Sequence, residues 1–280
     1  DPSQVTAPEL AELMVGSELP TPSTEPRAAE DHTTLRLHNV SMVDDAGRTV
    51  LDGVDFEVRR GEILGVAGVE GNGQGELIEA ILGLCQTSGG QLLLDGEDIG
   101  HWPVRRRREA GIGYVPEDRH RRGLLLDAPL WENAMLGHQT MTPFARGPFL
   151  DRSGARSATT HIVEHFDVRT PGIDTSARAL SGGNQQKMVI GREMAASPRL
   201  LVAAHPTRGI DVGAQASVWA DLRAARREGL AMLLVSADLE ELIGLADRLV
   251  VMLRGRVVAE LDPATTTPRI LGGYMTGADE

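Results

Sequence analysis

Cysteine is nearly absent from this chain. Among 280 residues only Cys85 is a cysteine, which excludes an internal disulfide framework and fits a reducing compartment. Lysine is just as scarce: of 28 basic residues, Lys187 is the single lysine. Aromatic residues make up 3% of the chain. No apolar run is long enough for a membrane-spanning helix, and the residues given show no leader pattern. Positive charge is outnumbered, 28 against 40, for a net charge of −12. That balance argues against a nucleic-acid partner, whose binders carry a basic footprint. What is plentiful is apolar residues, at 41%, enough to bury a sizeable core.

The chain opens on Asp1 rather than Met, and its first residues repeat its last ones. At an offset of 261, Asp1-Pro2 meets Asp262-Pro263, Thr6 meets Thr267, Leu10 meets Leu271, Met14 meets Met275 and Gly16 meets Gly277. The expectation is that residues 1–16 are the tail of a preceding, similar domain. Residues 17–31, polar and broken by Pro20, Pro22 and Pro26, read as a linker. The globular domain is then 32–277.

Within it, Leu35–Val40 and Val54–Val58 alternate like half-buried strands. Ile63–Ala67 is a short apolar strand followed by a glycine-rich turn and a helix over Glu76–Leu84. Gln91–Leu94, Gly113–Val115, Leu200–Ala203, Met232–Val235 and Leu249–Met252 read as further strands. Helices are expected over Gly183–Ala196, Ala214–Arg227 and Leu239–Ala246. Strands alternating with helices imply an α/β core with a largely parallel sheet. A stretch of about 128–180 has few strand signals and reads as a helical subdomain. Arg254-Gly255-Arg256 between apolar runs suggests a hairpin.

The turn after Ile63–Ala67 has chemistry in it. Gly68, Gly71 and Gly73 form a Gly-x-x-Gly-x-Gly skeleton between a strand and a helix, the setting in which backbone N–H groups cradle phosphate. The pattern then calls for Lys and Ser or Thr. Here stand Gln74 and Gly75, after Asn72 and before Glu76. The lysine would neutralise phosphate charge and the hydroxyl would hold Mg²⁺; both are missing, and Glu76 adds a negative charge. A carboxylate some 4–6 Å from a phosphate costs about 1–4 kcal/mol at effective dielectrics of 20–80. Taken alone, the loop serves equally well as a glycine turn packing a helix on a sheet.

Leu180-Ser181-Gly182-Gly183-Asn184-Gln185-Gln186-Lys187 decides between these readings. It resembles the signature sequence of ABC ATPases, in the form similar to sugar and nucleoside importers. Leu200–Thr207 looks like a Walker B strand and Arg208–Asp211 like a D-loop. Pro116–Leu124 and Asn72-Gly73-Gln74 resemble the second half of the double ATP-binding subunit of nucleoside or simple-sugar importers. The resemblance covers about 32–277. It implies an ABC ATPase P-loop core, an antiparallel β subdomain and an inserted α-helical subdomain.

Measured against that family, this chain lacks its hydrolytic groups. The Walker B carboxylate position is Ala204, and the next residue, a glutamate in the family, is His205. The switch histidine position is Ala237, the Q-loop glutamine position is Glu117, and no aromatic occurs from Ser41 to Val50 to stack on adenine. Phosphoryl transfer depends on positioning and charge neutralisation, so these losses together predict an inert site. His205 as a substitute base is the alternative. Lys187 lies one turn past the signature and cannot replace the missing lysine. No catalytic residue and no metal site are expected; His161 and His165, four apart on a helix, are too few for one.

The signature is intact. The resemblance implies that Ser181, Gly182, Gly183 and Gln185, with Asp211 in the D-loop, complete an ATP-Mg²⁺ site on a facing domain of the same polypeptide. It implies further partners: membrane permease subunits docking near Glu117 and the helical subdomain, and indirectly a solute-binding protein, at the cytoplasmic face of the membrane. An ordinary helix N-cap is the bland reading of Ser181. Nucleosides are the expected solutes and simple sugars the alternative. Two other functions compete: a working ATPase with unusual ligands, and an interaction domain unrelated to transport. The runs Arg105–Arg108 and Arg119–Arg122 are expected to be a solvated face, with membrane-proximal docking as the sharper alternative.

Overall fold

The computed structural model describes residues 31–277. The proposed tail over 1–16 and nearly all of the linker lie outside the described residues. In chain order the strands are β1 (Thr33–Val43), β2 (Thr49–Arg59), β3 (Ile63–Ala67), β4 (Gly89–Leu94), β5 (Glu97–Asp98), β6 (Ile112–Val115), β7 (Ala145–Arg146), β8 (Phe149–Leu150), β9 (Leu200–Ala204), β10 (Ala231–Val235), β11 (Arg248–Leu253) and β12 (Arg256–Leu261). The helices are α1 (Gln74–Leu82), α2 (Val104–Glu109), α3 (Leu130–Ala134), α4 (Arg152–His165), α5 (Gly182–Ala195), α6 (Val212–Arg227), α7 (Leu239–Leu245) and α8 (Pro268–Thr276).

Strand alternation sorts the core into two layers. The central sheet has the order β12-β11-β3-β10-β9-β6, parallel except for β12 at its edge. Leu64, Val66, Val202, Ala204, Leu233 and Val235 face one side, packing with α1 and the sheet β2-β1-β4-β5. Ile63, Ala67, Leu201, Ala203, Met232 and Leu234 face the other, against α5, α6, α7 and the helical region. Both faces are covered, so the central strands β3, β9 and β10 are apolar at every position, as all-buried parallel strands must be.

Register brings the functional positions to one edge. Val66 of β3 pairs with Val235 of β10, which pairs with Ala204 of β9. Gly68, His205 and Ala237 therefore leave the sheet at nearly the same level, at the carboxyl ends of the strands where α/β folds bind ligands. The β11–β12 turn has Arg254 at φ 49° and Gly255 at φ 78°, both left-handed, as a two-residue hairpin requires.

Four expectations need correction. Helix α1 begins at Gln74, not Glu76, because the left-handed Gly73 (φ 104°) starts it directly. Helix α8 had no counterpart in the sequence reading, although Thr267 caps it through Ile270 N and Pro268 opens it. The helical region holds a small hairpin, β7–β8, turned at Gly147-Pro148. The arginine runs are not wholly solvated. Arg107 is 2% exposed and donates to the carbonyls of Ala80, Ile81, Gly100 and Trp102, closing the C-terminus of α1. Among the described residues no helix is long and apolar enough to cross a membrane.

Candidate nucleotide site and signature corner

The glycine loop has phosphate-cradle geometry but is filled from within. Gly71 (φ 88°) and Gly73 (φ 104°) are left-handed, a conformation that side chains resist. Asn72 ties the loop to the β11–β12 hairpin: its Oδ1 accepts from Arg254 N at 3.1 Å and its carbonyl from Gly255 N at 2.9 Å. Where the family lysine would project, the buried Gln74 amide folds back and donates to Val69 O at 3.3 Å. A Cβ on Gly68 would overlap that amide. Gly75 is the opposite case: a Cβ there meets nothing within 4 Å, so the place of the Mg²⁺-binding hydroxyl is empty space. Glu76 is half-buried in the first turn of α1.

The opposite wall is equally short of ligands. Ala204 ends β9, buried, with its methyl on the α1 side of the sheet. His205 follows in a left-handed conformation (φ 46°), its N–H donating to Val235 O at 2.8 Å. Its Nδ1 accepts from Ala237 N at 3.3 Å. Burial holds this imidazole below its ordinary pKa, against the pull of Glu241 and Glu70. A neutral ring whose Nδ1 accepts carries its proton on Nε2, leaving no lone pair free to take a proton from water. His205 in this geometry is a strap between the end of β9 and the segment after β10. Glu117 is ion-paired with Arg208. Between these walls lies a cavity of about 740 Å³ whose lining includes Gly75, Tyr114, Glu117, Arg122, Ala204 and Arg208. The donor set does not fit Mg²⁺: neither the hydroxyl position nor the carboxylate position has an oxygen to offer.

The signature corner is better furnished. Ser181 is the N-cap of α5; its Oγ accepts from Asn184 Nδ2 at 2.8 Å and lies 3.4 Å from Asn184 N. The residue is exposed and the hydroxyl proton is left to donate. Gly182 and Gly183 open the 14-residue helix, with backbone N–H groups at its positive end. A Cβ on Gly183 would lie 2.7 Å from Ala214 Cβ, so this glycine is what lets α5 approach α6. Asp211 caps α6 through Ala214 N at 2.9 Å. Gln185 departs from its expected role. It is buried, its Nε2 donates to Ala177 O, and its Oε1 lies 3.3 Å from Arg119 Nε and 2.8 Å from His120 Nε2. Its amide is used inside the chain. Lys187 reaches Asp167, 3.3 Å from both the backbone and the carboxylate oxygens, away from the loop.

Sequence reasoning missed two arginines of this region. Arg108 donates to the fully buried Glu193 at 2.7 Å, which also accepts from Arg192 and Tyr114 N. Arg119 donates to Arg208 O and Gly209 O. Their acceptors are 66 to 90 positions away in sequence, so no local pattern announces them.

A P-loop turn at the carboxyl edge of a parallel sheet, with a capped serine-glycine helix start on the flank, defines a nucleotide-binding-domain architecture of the ATP-binding-cassette kind. A sequence profile of the ABC transporter family matches residues 51–208, and the chain belongs to that family, which binds ATP with Mg²⁺. It is 43% identical over 273 residues to the guanosine import ATP-binding protein NupO of Bacillus subtilis, covering 97% of this chain and 53% of that protein. To the nucleoside import ATP-binding protein NupA of Lactococcus lactis subsp. cremoris it is 40% identical, covering 98% and 54%. To the glucose import ATP-binding protein TsgD13 of Haloferax volcanii it is 42% identical, covering 99% and 51%. The chain thus spans about half the length of the curated relatives it matches. In fold it is similar to a nucleotide-free ATP-binding cassette from an ABC transporter, with a TM-score of 0.74, 22% identity and coverage of 86% of this chain and 98% of that one.

Proposed function

We propose that this chain is the non-hydrolysing second half of a double ATP-binding subunit in a nucleoside importer. It lends its signature corner to an ATP site on the first half. The observation that carries the proposal is the contrast between two places in one domain. At its own loop, Gln74, Gly75, Ala204 and His205 provide neither cation, Mg²⁺ ligand nor base. At the signature, the exposed Ser181 has a free hydroxyl proton beside the backbone N–H groups that open α5. Guanosine and nucleoside importers among its relatives favour a nucleoside solute; the glucose importer at 42% identity keeps a simple sugar as the second reading.

In this reading the facing domain supplies the P-loop lysine, the Mg²⁺ ligands and the catalytic glutamate, and hydrolysis there supplies the energy. This chain's part is to donate the Ser181 hydroxyl and the Gly182 and Gly183 N–H groups to the terminal phosphate, and to exclude water from that side. Asp211 holds α6, and with it the D-loop, against α5. Permease loops dock near Glu117 and the helical region, and a solute-binding protein acts on the far side of the permease. The ATP-binding subunit is peripheral on the cytoplasmic face. Ser181→Arg fills the corner with a long side chain, and ATPase and transport by the full protein should both stop. Persistence of either at the parent rate overturns the composite site.

A further inference from the structure

We propose that Arg119 is a phosphate-facing charge of the composite site, seated beneath Gly182 to raise the affinity of the signature corner for the terminal phosphate of a nucleotide held by the facing domain. This rests on the composite-site reading above.

Three observations carry it. The first is position. A Cβ built on Gly182 would lie 2.9 Å from Arg119 Nη2 and 3.2 Å from Gly209 O. The guanidinium occupies the space a side chain would need at the opening residue of α5. Glycine at 182 therefore does more than expose its N–H; it admits a cation directly behind the serine-glycine corner. The second is charge. Arg208 pairs with Glu117 and Arg122 with Glu79 at 3.6 Å. Arg119 is bound by neutral oxygens instead: Nη1 to Arg208 O at 2.9 Å, Nη2 to Gly209 O at 3.1 Å and Nε to Gln185 Oε1 at 3.3 Å. Among the described residues no carboxylate forms an ion pair with it. Its neighbour Asp118 accepts from His120 N and Arg121 N. In a chain with net charge −12, a guanidinium held in place with no carboxylate ion-paired to it, only the charge of Asp118 acting through space, is a cation kept for an anion from elsewhere. The third is capacity. Three of the five N–H groups of the fork are spent, leaving one on each Nη. The same three bonds join the turn at Arg119–Gly123 to both the signature helix and the D-loop, so the charge keeps its place when that corner moves as a unit.

The test uses the full-length protein with its permease subunits, reading ATPase rate against ATP concentration. Arg119→Gln removes the charge and keeps a donor; Arg119→Lys keeps the charge and loses the fork. The charge role predicts a KM for ATP about tenfold higher in Arg119→Gln and within about threefold of the parent in Arg119→Lys, from one unit charge at partly screened distance. Asp118→Asn keeps an oxygen for the two N–H groups and removes the carboxylate that acts on Arg119. It should lower KM about twofold to threefold, which no purely structural role for Arg119 produces, and it decides the matter should Arg119→Gln fold poorly. Equal damage by Gln and Lys, or an Asp118→Asn KM at or above the parent value, overturns the inference. Ser181→Arg in the same preparation separates the two layers. If it abolishes ATPase while Arg119→Gln leaves KM unchanged, the Arg119 role alone falls. If it leaves ATPase intact, the composite site falls and Arg119 with it.

Discussion

Rebuilding the phosphate cradle should restore nucleotide binding without restoring turnover. The perturbation is Gln74→Lys with Gly75→Ser. Space permits both. A Cβ on Gly75 meets nothing within 4 Å, and replacing a helical glycine relieves about 0.5–1 kcal/mol of backbone entropy. The Gln74 side chain makes one bond, 3.3 Å to Val69 O, that an ammonium can also make until phosphate arrives. A unit charge 4 Å from phosphate at an effective dielectric of 20 is worth about 4 kcal/mol; subtracting lost hydration leaves about 2–3 kcal/mol, roughly a hundredfold in affinity. The serine hydroxyl makes part of that gain depend on Mg²⁺. Calorimetric titration of ATP with and without Mg²⁺ reads both effects. Hydrolysis should stay at background, because Ala204 still offers no carboxylate and His205 no free lone pair. A parent chain that already binds Mg-ATP in the micromolar range, or a double variant that binds no better, refutes the reasoning.

Other outcomes follow from particular contacts. Arg107→Met removes the donor from four carbonyls, two of them in buried bonds, and should cost about 3–5 kcal/mol, seen as a fall of about 10 °C in melting temperature. Gly183→Ala drives a methyl to 2.7 Å from Ala214 Cβ and should cost about 1–3 kcal/mol in chemical denaturation, with Ala214→Gly in the same chain recovering most of it. Burial pulls the His138 imidazole down to about 4 from 6.5, against the attraction of Glu193 and with help from Arg108. The unfolded chain then takes up a proton that the folded one refuses. That part of the stability is complete above pH 6.5 and falls by about 3 kcal/mol as pH drops to 4. His138→Gln should remove this slope, read as the difference between the two denaturation curves over that range.

Much of the fold was legible because its signals are local. Apolar runs of four or five residues marked β3, β9 and β10, and Arg254-Gly255 marked the hairpin, since left-handed turns demand particular residues. The loop 68–75 and the corner 181–183 were legible for the same reason: glycine spacing is a backbone statement. What escaped was set by distant partners. Nothing near Gln185 says that its amide meets Ala177, Arg119 and His120 rather than a nucleotide. Four consecutive arginines look like a solvated face until α1 ends beside Arg107 and supplies it with carbonyls. The capped start of α8 at Thr267-Pro268 carries a local signal, a threonine cap followed by proline at the first helical position.

The central claim is that this domain's own loop cannot support hydrolysis. Its most direct test is the steady-state release of phosphate from ATP by this 280-residue chain alone, with saturating Mg²⁺. The account predicts a rate no higher than buffer, unchanged by Gln74→Ala or His205→Ala. Turnover on the order of 1 s⁻¹ or faster, an ordinary enzymatic rate, abolished by either substitution, would contradict it.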